Sequence, residues 1–240
     1  MNILYYDIET SPILSYTWGT YQTDVLSIVT NTGLLCFSYK INKEKTVVIS
    51  TRVSTEKRMV KMLWNLFDKA DVIIGQNSDR FDNRVVNSLF IKYGLTPPSP
   101  YKTVDTLKIA RKYFRFDSNK LDNLGAYLVG ERKKSTGGIG LWLDCMNGDE
   151  KSLLKMERYC KQDVDLLVKV YEKLKGWTTN HPNHNLYHGT THECPVCGKS
   201  THKRGFMYTR TGKYQRYQCT NELCAAWSRG EKIKHDKVIT

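Results

Sequence analysis

The order of hydrophobic patterns between Met1 and Trp177 restricts the fold more than any other feature of this chain. Three runs rich in β-branched and aromatic residues come first, and each is typical of a strand: ILYYDIE at 3–9, TGLLCFSYKI at 32–41 and KTVVIS at 45–50. Helical and strand patterns then alternate, with helical patterns at 55–69, at 81–93 and from about 105, 120 and 148, and strand patterns at 71–75 and 101–105. This order predicts an α/β fold with helices on the faces of one sheet.

The chain changes character after Trp177. Residues 178–190 have neither hydrophobic periodicity nor strong helix formers, and this composition is typical of a linker. A small segment that contains four of the seven cysteines follows. We therefore divide the chain into a large domain at 1–177, a linker at 178–190 and a small domain at 191–240.

The charge balance favours a polyanionic partner. The 37 Lys and Arg residues exceed the 24 Asp and Glu residues, which gives a net charge of +13. Contacts between such a surface and phosphates release condensed counterions, although a basic protein without such a partner is the alternative. The chain has no apolar run long enough to span a membrane, and the N-terminus lacks a secretory pattern. We expect a cytoplasmic location and no membrane partner.

Asp7 and Glu9 indicate a cation site at the end of the first strand. They are two residues apart, so both side chains leave the same face of the sheet. Two carboxylates directed at one point repel each other unless a cation lies between them, and Mg²⁺ or Mn²⁺ prefers such oxygen ligands. On its own, an Asp-x-Glu pair is common by chance.

Two later positions supply further carboxylates. Asp82 follows the strand at 71–75 and lies near the start of the next helix, where Asp79 or Asp82 could instead serve only as a helix cap. Tyr159 and Asp163 are four residues apart in the last long helix and therefore share one helix face. Taken alone, this pair would be read as two surface neighbours.

The ordered set resembles a known family. Asp-x-Glu at 7–9, Asn-x-x-x-Phe-Asp at 77–82 and Tyr-x-x-x-Asp at 159–163 resemble the three motifs of the DEDD (DnaQ-like) 3′–5′ exonucleases, and the tyrosine is typical of the DEDDy branch. The second motif is most similar to that of the proofreading domain of family B DNA polymerases. Residues 105–125, 137–149 and 159–177 are similar to segments of small phage-encoded exonucleases, many of which end in a cysteine-rich tail.

The resemblance implies an RNase H-like fold, a mixed five-stranded sheet flanked by helices, followed by a small C-terminal zinc ribbon. It also implies hydrolysis of DNA from the 3′ end by two metal ions. In that mechanism Asp7 contacts both ions, and Glu9, Asp82 and Asp163 complete the ligand shells. Tyr159 orients the attacking water.

Other residues receive roles from the same resemblance. Thr10 and Asn77 are expected to contact the terminal nucleotide or its backbone, and Phe81 is expected to pack so that it directs Asp82. Lys133 and Lys134, in the glycine-rich basic loop at 131–140, are expected to close over the phosphates. The alternative for this loop is a solvated basic segment.

The cysteine spacing in the tail predicts a structural zinc site. Cys194 and Cys197 form a C-x₂-C pair, and Cys219 and Cys224 form a C-x₄-C pair. Two such pairs are typical of a Cys₄ zinc ribbon that needs its ion in order to fold. The wider second pair leaves open that His192 or His202 replaces one ligand.

The segment between the two pairs indicates nucleic-acid binding. Aromatic and basic residues alternate there around a turn at Thr211 and Gly212. Aromatic rings that stack on bases beside cations that contact phosphates are typical of single-strand binding. The predicted contacts are Arg210, Lys213, Tyr214, Arg216 and Tyr217. The alternative is that the aromatic residues form the core of the ribbon.

The sequence therefore predicts a metal-dependent 3′–5′ exonuclease. Its expected substrate is DNA that is single-stranded or has a free 3′ end, and a DNA polymerase or another replication protein is a possible partner class. An endonuclease or RNase of the same fold is one alternative, because its metal site would be the same. A non-catalytic DNA-binding accessory protein of replication or recombination is another.

Overall fold

The computed structural model describes residues 1–133, 137–189 and 192–233. The strands of the large sheet and of a projecting hairpin are β1 (Ile3–Thr10), β2 (Leu14–Tyr16), β3 (Ser27–Thr30), β4 (Leu34–Ile41), β5 (Val47–Ser50), β6 (Val72–Gly75) and β7 (Lys102–Asp105). The strands near the C-terminus are β8 (Thr201–Thr209), β9 (Gly212–Cys219) and β10 (Trp227–Ile233). The helices are α1 (Glu56–Lys69), α2 (Asp82–Lys92), α3 (Thr106–Tyr113), α4 (Leu121–Val129), α5 (Gly140–Met146), α6 (Glu150–Leu174) and α7 (His184–His188).

The central sheet has five strands in the order β5-β4-β1-β6-β7. β1 pairs with β4 in antiparallel orientation and with β6 in parallel orientation, so the sheet is mixed. β5 continues the antiparallel side, and β7 continues the parallel side. The predicted mixed five-stranded sheet flanked by helices is confirmed.

The two faces of β1 pack against different helices. Leu4, Tyr6 and Ile8 point to one face, where they pack in a core with α1 and α2. Tyr5 points to the other face and packs with residues of α3, α4 and α6. Because successive side chains of a strand alternate, Asp7 and Glu9 also point toward the face covered by α6. The alternation therefore places two carboxylates under the longest helix.

The three-stranded sheet of β8, β9 and β10 lies against the end of α6. A methyl group added at Gly176 would lie 1.7 Å from the carbonyl oxygen of Cys224, so only glycine permits this close approach. The backbone N–H of His184 donates to the carbonyl of Pro195 over 2.6 Å, and the Tyr171 hydroxyl lies 2.6 Å from His181 Nε2. The segment expected to be a linker thus contains a short helix, α7, and contacts both neighbours. The division into three units remains a prediction.

The sequence patterns did not reveal β2, β3, α5 or α7. The hairpin of β2 and β3 lies between the first two predicted strands, and α5 lies in the glycine-rich region before α6. Among the described residues, no helix is both long and apolar enough to span a membrane.

Candidate active site and cysteine cluster

Three carboxylates converge beneath α6. Asp7 and Glu9 come from β1, and Asp163 comes from α6. One carboxylate oxygen from each residue lies within 4.8 Å of those from the other two. The structure therefore brings together residues that are more than 150 positions apart in the chain.

Asp82 lies beside this group at the start of α2. It is buried, and its charge is the largest electrostatic influence on Asp7 after burial itself. The Asp82 carboxyl group forms a hydrogen bond with the backbone of Ile8 in β1. We call Asp7, Glu9, Asp82 and Asp163 the acidic cluster. Asp82 lies at the edge of this cluster, because its oxygens are not within 4.8 Å of all the others.

Hydrogen bonds from the core hold α2 and α6 at the acidic cluster. The Tyr6 hydroxyl donates to Asn83 Oδ1 over 2.5 Å, which ties the first turn of α2 to β1. The Ser38 hydroxyl donates to the carbonyl of Cys160 over 2.6 Å, which ties α6 to β4 at the residue that follows Tyr159. These contacts are buried, so they keep the ligand-bearing elements in register.

Asp105 organises the turn that precedes Asp82. Its carboxylate accepts hydrogen bonds from the backbone N–H groups of Asn77 at 2.9 Å and Asp79 at 3.3 Å, and it caps α3. Asn77 adopts a left-handed conformation with φ 60°. Asp79 pairs with Lys108 at 2.6 Å, and no side chain caps α2, so the capping alternative for Asp79 and Asp82 is wrong.

The acidic cluster disfavours four negative charges in the absence of a cation. Burial, together with the charges of Asp82, Asp163 and Glu9, raises the pKa of Asp7 well above its usual value. Burial also raises the pKa of Glu9 to about 7 and that of Asp82 to about 7. At neutral pH, protons or a cation must therefore compensate part of the charge.

Lys133 provides a cation inside the cluster. Its ammonium group forms an ion pair with Asp163 and lies 4.6 Å from the centre of the Tyr159 ring. Burial alone would lower the pKa of Lys133, but Asp163 raises it above its usual value. The loop at 131–140 thus brings Lys133 to the carboxylates themselves. Lys134 lies outside the described residues.

The positions of two aromatic residues near the acidic cluster did not follow from the sequence. The indole of Trp142, on α5, hydrogen-bonds to Glu9, and its ring centre lies 6.5 Å from that of Tyr159. Phe81, expected to be a packing residue, is 47% exposed beside Asp82. Thr10 is partly buried at the end of β1. No spacing in the sequence links α5 to β1, because only the fold brings them together.

The acidic cluster fits Mg²⁺ or Mn²⁺. Oxygen ligands from carboxylates are the set that these ions prefer. Asp163 Oδ1 is buried and has no hydrogen-bond partner among the described residues, so it is available as a ligand. Asp165 points away from the acidic cluster, toward Thr46 and Lys161.

The four tail cysteines form a second cluster, which we call the cysteine cluster. Their sulfur atoms lie within 4.8 Å of one another, with 3.9 Å between Cys194 and Cys224 and 3.5 Å between Cys197 and Cys219. A tetrahedral zinc ion with Zn–S bonds of about 2.3 Å separates its sulfurs by about 3.8 Å, so the geometry fits zinc. Neither His192 nor His202 belongs to this group among the described residues.

The aromatic residues of the ribbon are not its core. Among the described residues, that core consists of the cysteines with Val196 and Ala226. On one face, the Arg229 guanidinium lies 4.6 Å from the Tyr214 ring and that of Arg216 lies 4.5 Å from the Trp227 ring. We call these four residues the cation–aromatic face.

The other predicted ribbon contacts lie elsewhere. Residues of a strand alternate, so Lys213 and Tyr217 point to the opposite face of β9. Lys213 lies 3.9 Å from the ring centre of Phe206, and Tyr217 lines a cleft that also includes Asn183 and Leu186. Arg210 is exposed in the turn between β8 and β9. The five predicted contacts therefore do not form one surface.

Comparison with known proteins agrees with this architecture. The family model of the RNase H superfamily matches residues 4–175, which include the sheet and the whole acidic cluster. The chain belongs to the RNase H superfamily. No curated protein matches the sequence.

A solved structure shares the fold of this RNase H superfamily chain. The family B DNA polymerase of the hyperthermophilic archaeon Pyrobaculum calidifontis superimposes with a TM-score of 0.53 at 16% sequence identity. The match covers 72% of this chain and 24% of the polymerase, so this chain spans about a quarter of that protein. At this identity the likeness concerns the fold alone.

Proposed function

We propose that this protein is a 3′–5′ exonuclease that uses Mg²⁺ or Mn²⁺ to hydrolyse DNA. The convergence of Asp7, Glu9 and Asp163, with Asp82 beside them and Tyr159 one helical turn before Asp163, is the observation that carries the proposal. Membership of the RNase H superfamily supports nuclease chemistry, and the tyrosine supports the exonuclease branch.

The carboxylates would hold the metal ions, which when bound neutralise charge on the phosphate and provide an activated water. Burial raises the pKa of Tyr159 to about 12, so its hydroxyl stays protonated at neutral pH and can hydrogen-bond to the nucleophile. Trp142 restrains Glu9 through its indole N–H. Lys133 would exchange its partner Asp163 for a phosphate oxygen when ions enter.

The terminal nucleotide has candidate contacts at the rim. Thr10 ends β1 one residue after Glu9, and Asn77 lies in the turn that leads to Asp82. The exposed ring of Phe81 is suited to stacking on a base, which replaces the packing role expected from the sequence.

The cysteine cluster would hold one structural zinc ion, and the ribbon would add affinity for nucleic acid. The cation–aromatic face is the surface that supports this role best, because Arg216, Trp227 and Arg229 are exposed on it. Removing both Arg216 and Arg229 should lower the slope of affinity against salt by about two, since each lost phosphate contact removes about one unit. The matched control is Lys213→Ala with Tyr217→Ala on the opposite face.

End-labelled substrates test the main proposal. With 5′-labelled single-stranded DNA and Mn²⁺, the expected products are a ladder that shortens from the 3′ end, and 3′-labelled DNA should release mononucleotides first. Covalently closed circular DNA should remain intact. Cleavage of the circle would favour the endonuclease alternative, and preferential cleavage of RNA would favour an RNase. Binding without any metal-dependent cleavage would overturn the proposal in favour of an accessory protein.

A further inference from the structure

A projecting hairpin has large apolar side chains that are exposed to solvent. It comprises residues 13–30, that is β2, β3 and their connection, and we call it the apolar hairpin. Trp18 is 79% exposed and Tyr21 is 99% exposed. Its other exposed apolar residues are Ile13, Leu14, Tyr16, Val25, Leu26, Ile28 and Val29. An exposed patch of this kind normally marks a binding surface.

The apolar hairpin is rooted at the acidic cluster. It follows β1 directly, and Ser11 is the second residue after Glu9. The backbone N–H of Ser11 donates to the carbonyl of Gly33, and that of Gly33 donates to the Ser11 hydroxyl, both over 2.8 Å. Ser11 is buried, so the base of the hairpin is anchored while its tip is free. The hairpin therefore leaves the sheet at the strand end that carries two residues of the acidic cluster.

Charge and symmetry indicate what the hairpin contacts. Between Ser11 and Gly33, Asp24 is the sole charged residue in a chain of net charge +13, so the segment offers no cation to phosphates. Tyr16 pairs with Ser27, and Ser15 pairs with Ile28, so large apolar groups occupy both faces of the apolar hairpin. A flat protein partner would cover one face and leave the other in water. Two separated strands of a nucleic acid would cover both.

We propose that the apolar hairpin is a wedge that stacks on the bases of the substrate's 3′ end and separates them from the complementary strand. Apolar side chains inserted between base steps unstack them, and aromatic side chains bind bases regardless of sequence. Trp18 and Tyr21, at the tip, provide the stacking surfaces. The proposal rests on the proposed function because it assigns the substrate's path into the same site.

Fluorescence of 2-aminopurine tests the wedge without cleavage. The probe is placed near the 3′ end of a single strand, and binding is measured with no divalent cation added. The full chain should quench the probe, whereas the variant W18A/Y21A should lose the quenching and bind about tenfold more weakly. The variant T20A/Q22A changes polar residues of the same connection and should behave as the wild type. Both variants should melt at the wild-type temperature, since the replaced side chains are exposed.

A cleavage assay provides the second arm. In Mn²⁺, W18A/Y21A should digest a paired 3′ end at least about tenfold more slowly than the wild type, with a smaller loss on an unpaired end. Equal quenching and equal rates in W18A/Y21A and the wild type would overturn the wedge. So would a wild-type dimer that becomes monomeric in W18A/Y21A, because a second copy would then be the occupant. If the wild type quenches the probe but never cleaves, the wedge stands and the proposed function fails.

Discussion

The acidic cluster and the cysteine cluster both gather groups of like charge, but they depend on the fold in opposite ways. The acidic cluster draws on β1, α2 and α6, which are held by two hydrophobic cores of their own. The cysteine cluster is itself the core of its small unit. A site whose scaffold is stable without the ion can exchange ions and substrate, whereas a site that forms the scaffold cannot. The comparison explains why one cluster suits catalysis and the other suits structure.

The two clusters also compensate charge differently. Lys133 reaches into the acidic cluster, and the raised pKa values of Glu9 and Asp82 allow protons to replace an ion near neutral pH. In the cysteine cluster, hydrogen bonds from the Cys194 and Cys224 thiols lower the pKa of Cys197, while burial raises that of Cys219 to about 12. Without a cation the four sulfurs cannot all be thiolates.

Zinc removal should have the largest effect. Cys194→Ser should abolish binding of one zinc equivalent and unfold the ribbon, because zinc supplies on the order of 10 kcal/mol to such units. The large sheet should keep its circular dichroism. Metal content by mass spectrometry and proteolysis of residues 192–233 measure the outcome. Cys145→Ser is the control, since this buried thiol lies outside the cluster. A ribbon that stays folded without zinc would contradict the claim that the cysteine cluster depends on its ion for folding.

Removal of one acidic ligand should leave the fold intact and abolish catalysis. Asp7→Asn should reduce DNA cleavage by about a thousandfold or more, because metal catalysis contributes several kcal/mol. The melting temperature without metal should stay equal or rise, since a buried like charge is lost. Asp165→Asn, a carboxylate two residues from Asp163 that faces Thr46, is the matched control. Wild-type rates in the Asp7 variant would refute the active-site assignment.

Gly176→Ala tests whether the ribbon depends on its contact with the end of α6. The added methyl group would collide with the Cys224 carbonyl, so the ribbon should be displaced from the end of α6 at a cost of about 2–3 kcal/mol. We expect a lower melting temperature and faster proteolysis near residue 190, measured beside Gly140→Ala, whose methyl group meets open space. No change in either measurement would show that the ribbon does not depend on this contact.

Tyr159→Phe should slow cleavage less than Asp7→Asn does. Loss of one hydrogen bond to the nucleophile should slow cleavage by about a hundredfold at unchanged DNA affinity, in line with the loss of one preorganised donor. Tyr127→Phe removes an exposed hydroxyl and should be neutral. Single-turnover rates, measured at several protein concentrations, separate DNA binding from cleavage. A change in affinity without a change in rate would assign Tyr159 to binding.

The sequence determined the elements whose hydrophobic pattern is long enough to specify them. The strands β1 and β4 to β7 and the helix α6 follow from their periodicity, and the carboxylates and cysteines follow from ordered motifs and spacing. The hairpin of β2 and β3 escaped this reasoning because its apolar residues occupy both faces, so no single-sided alternation exists. α5 was missed because seven residues give too little helical periodicity.

The tertiary structure alone decided which distant groups share a site. Lys133 joins Asp163, Trp142 joins Glu9, and Phe81 faces solvent, because sheet order and helix packing set these distances. On the ribbon, the pairing of β9 with β10 places Trp227 and Arg229 beside Tyr214 and Arg216. A linear chain states which residue types are present and how they alternate. Only packing determines which of them meet.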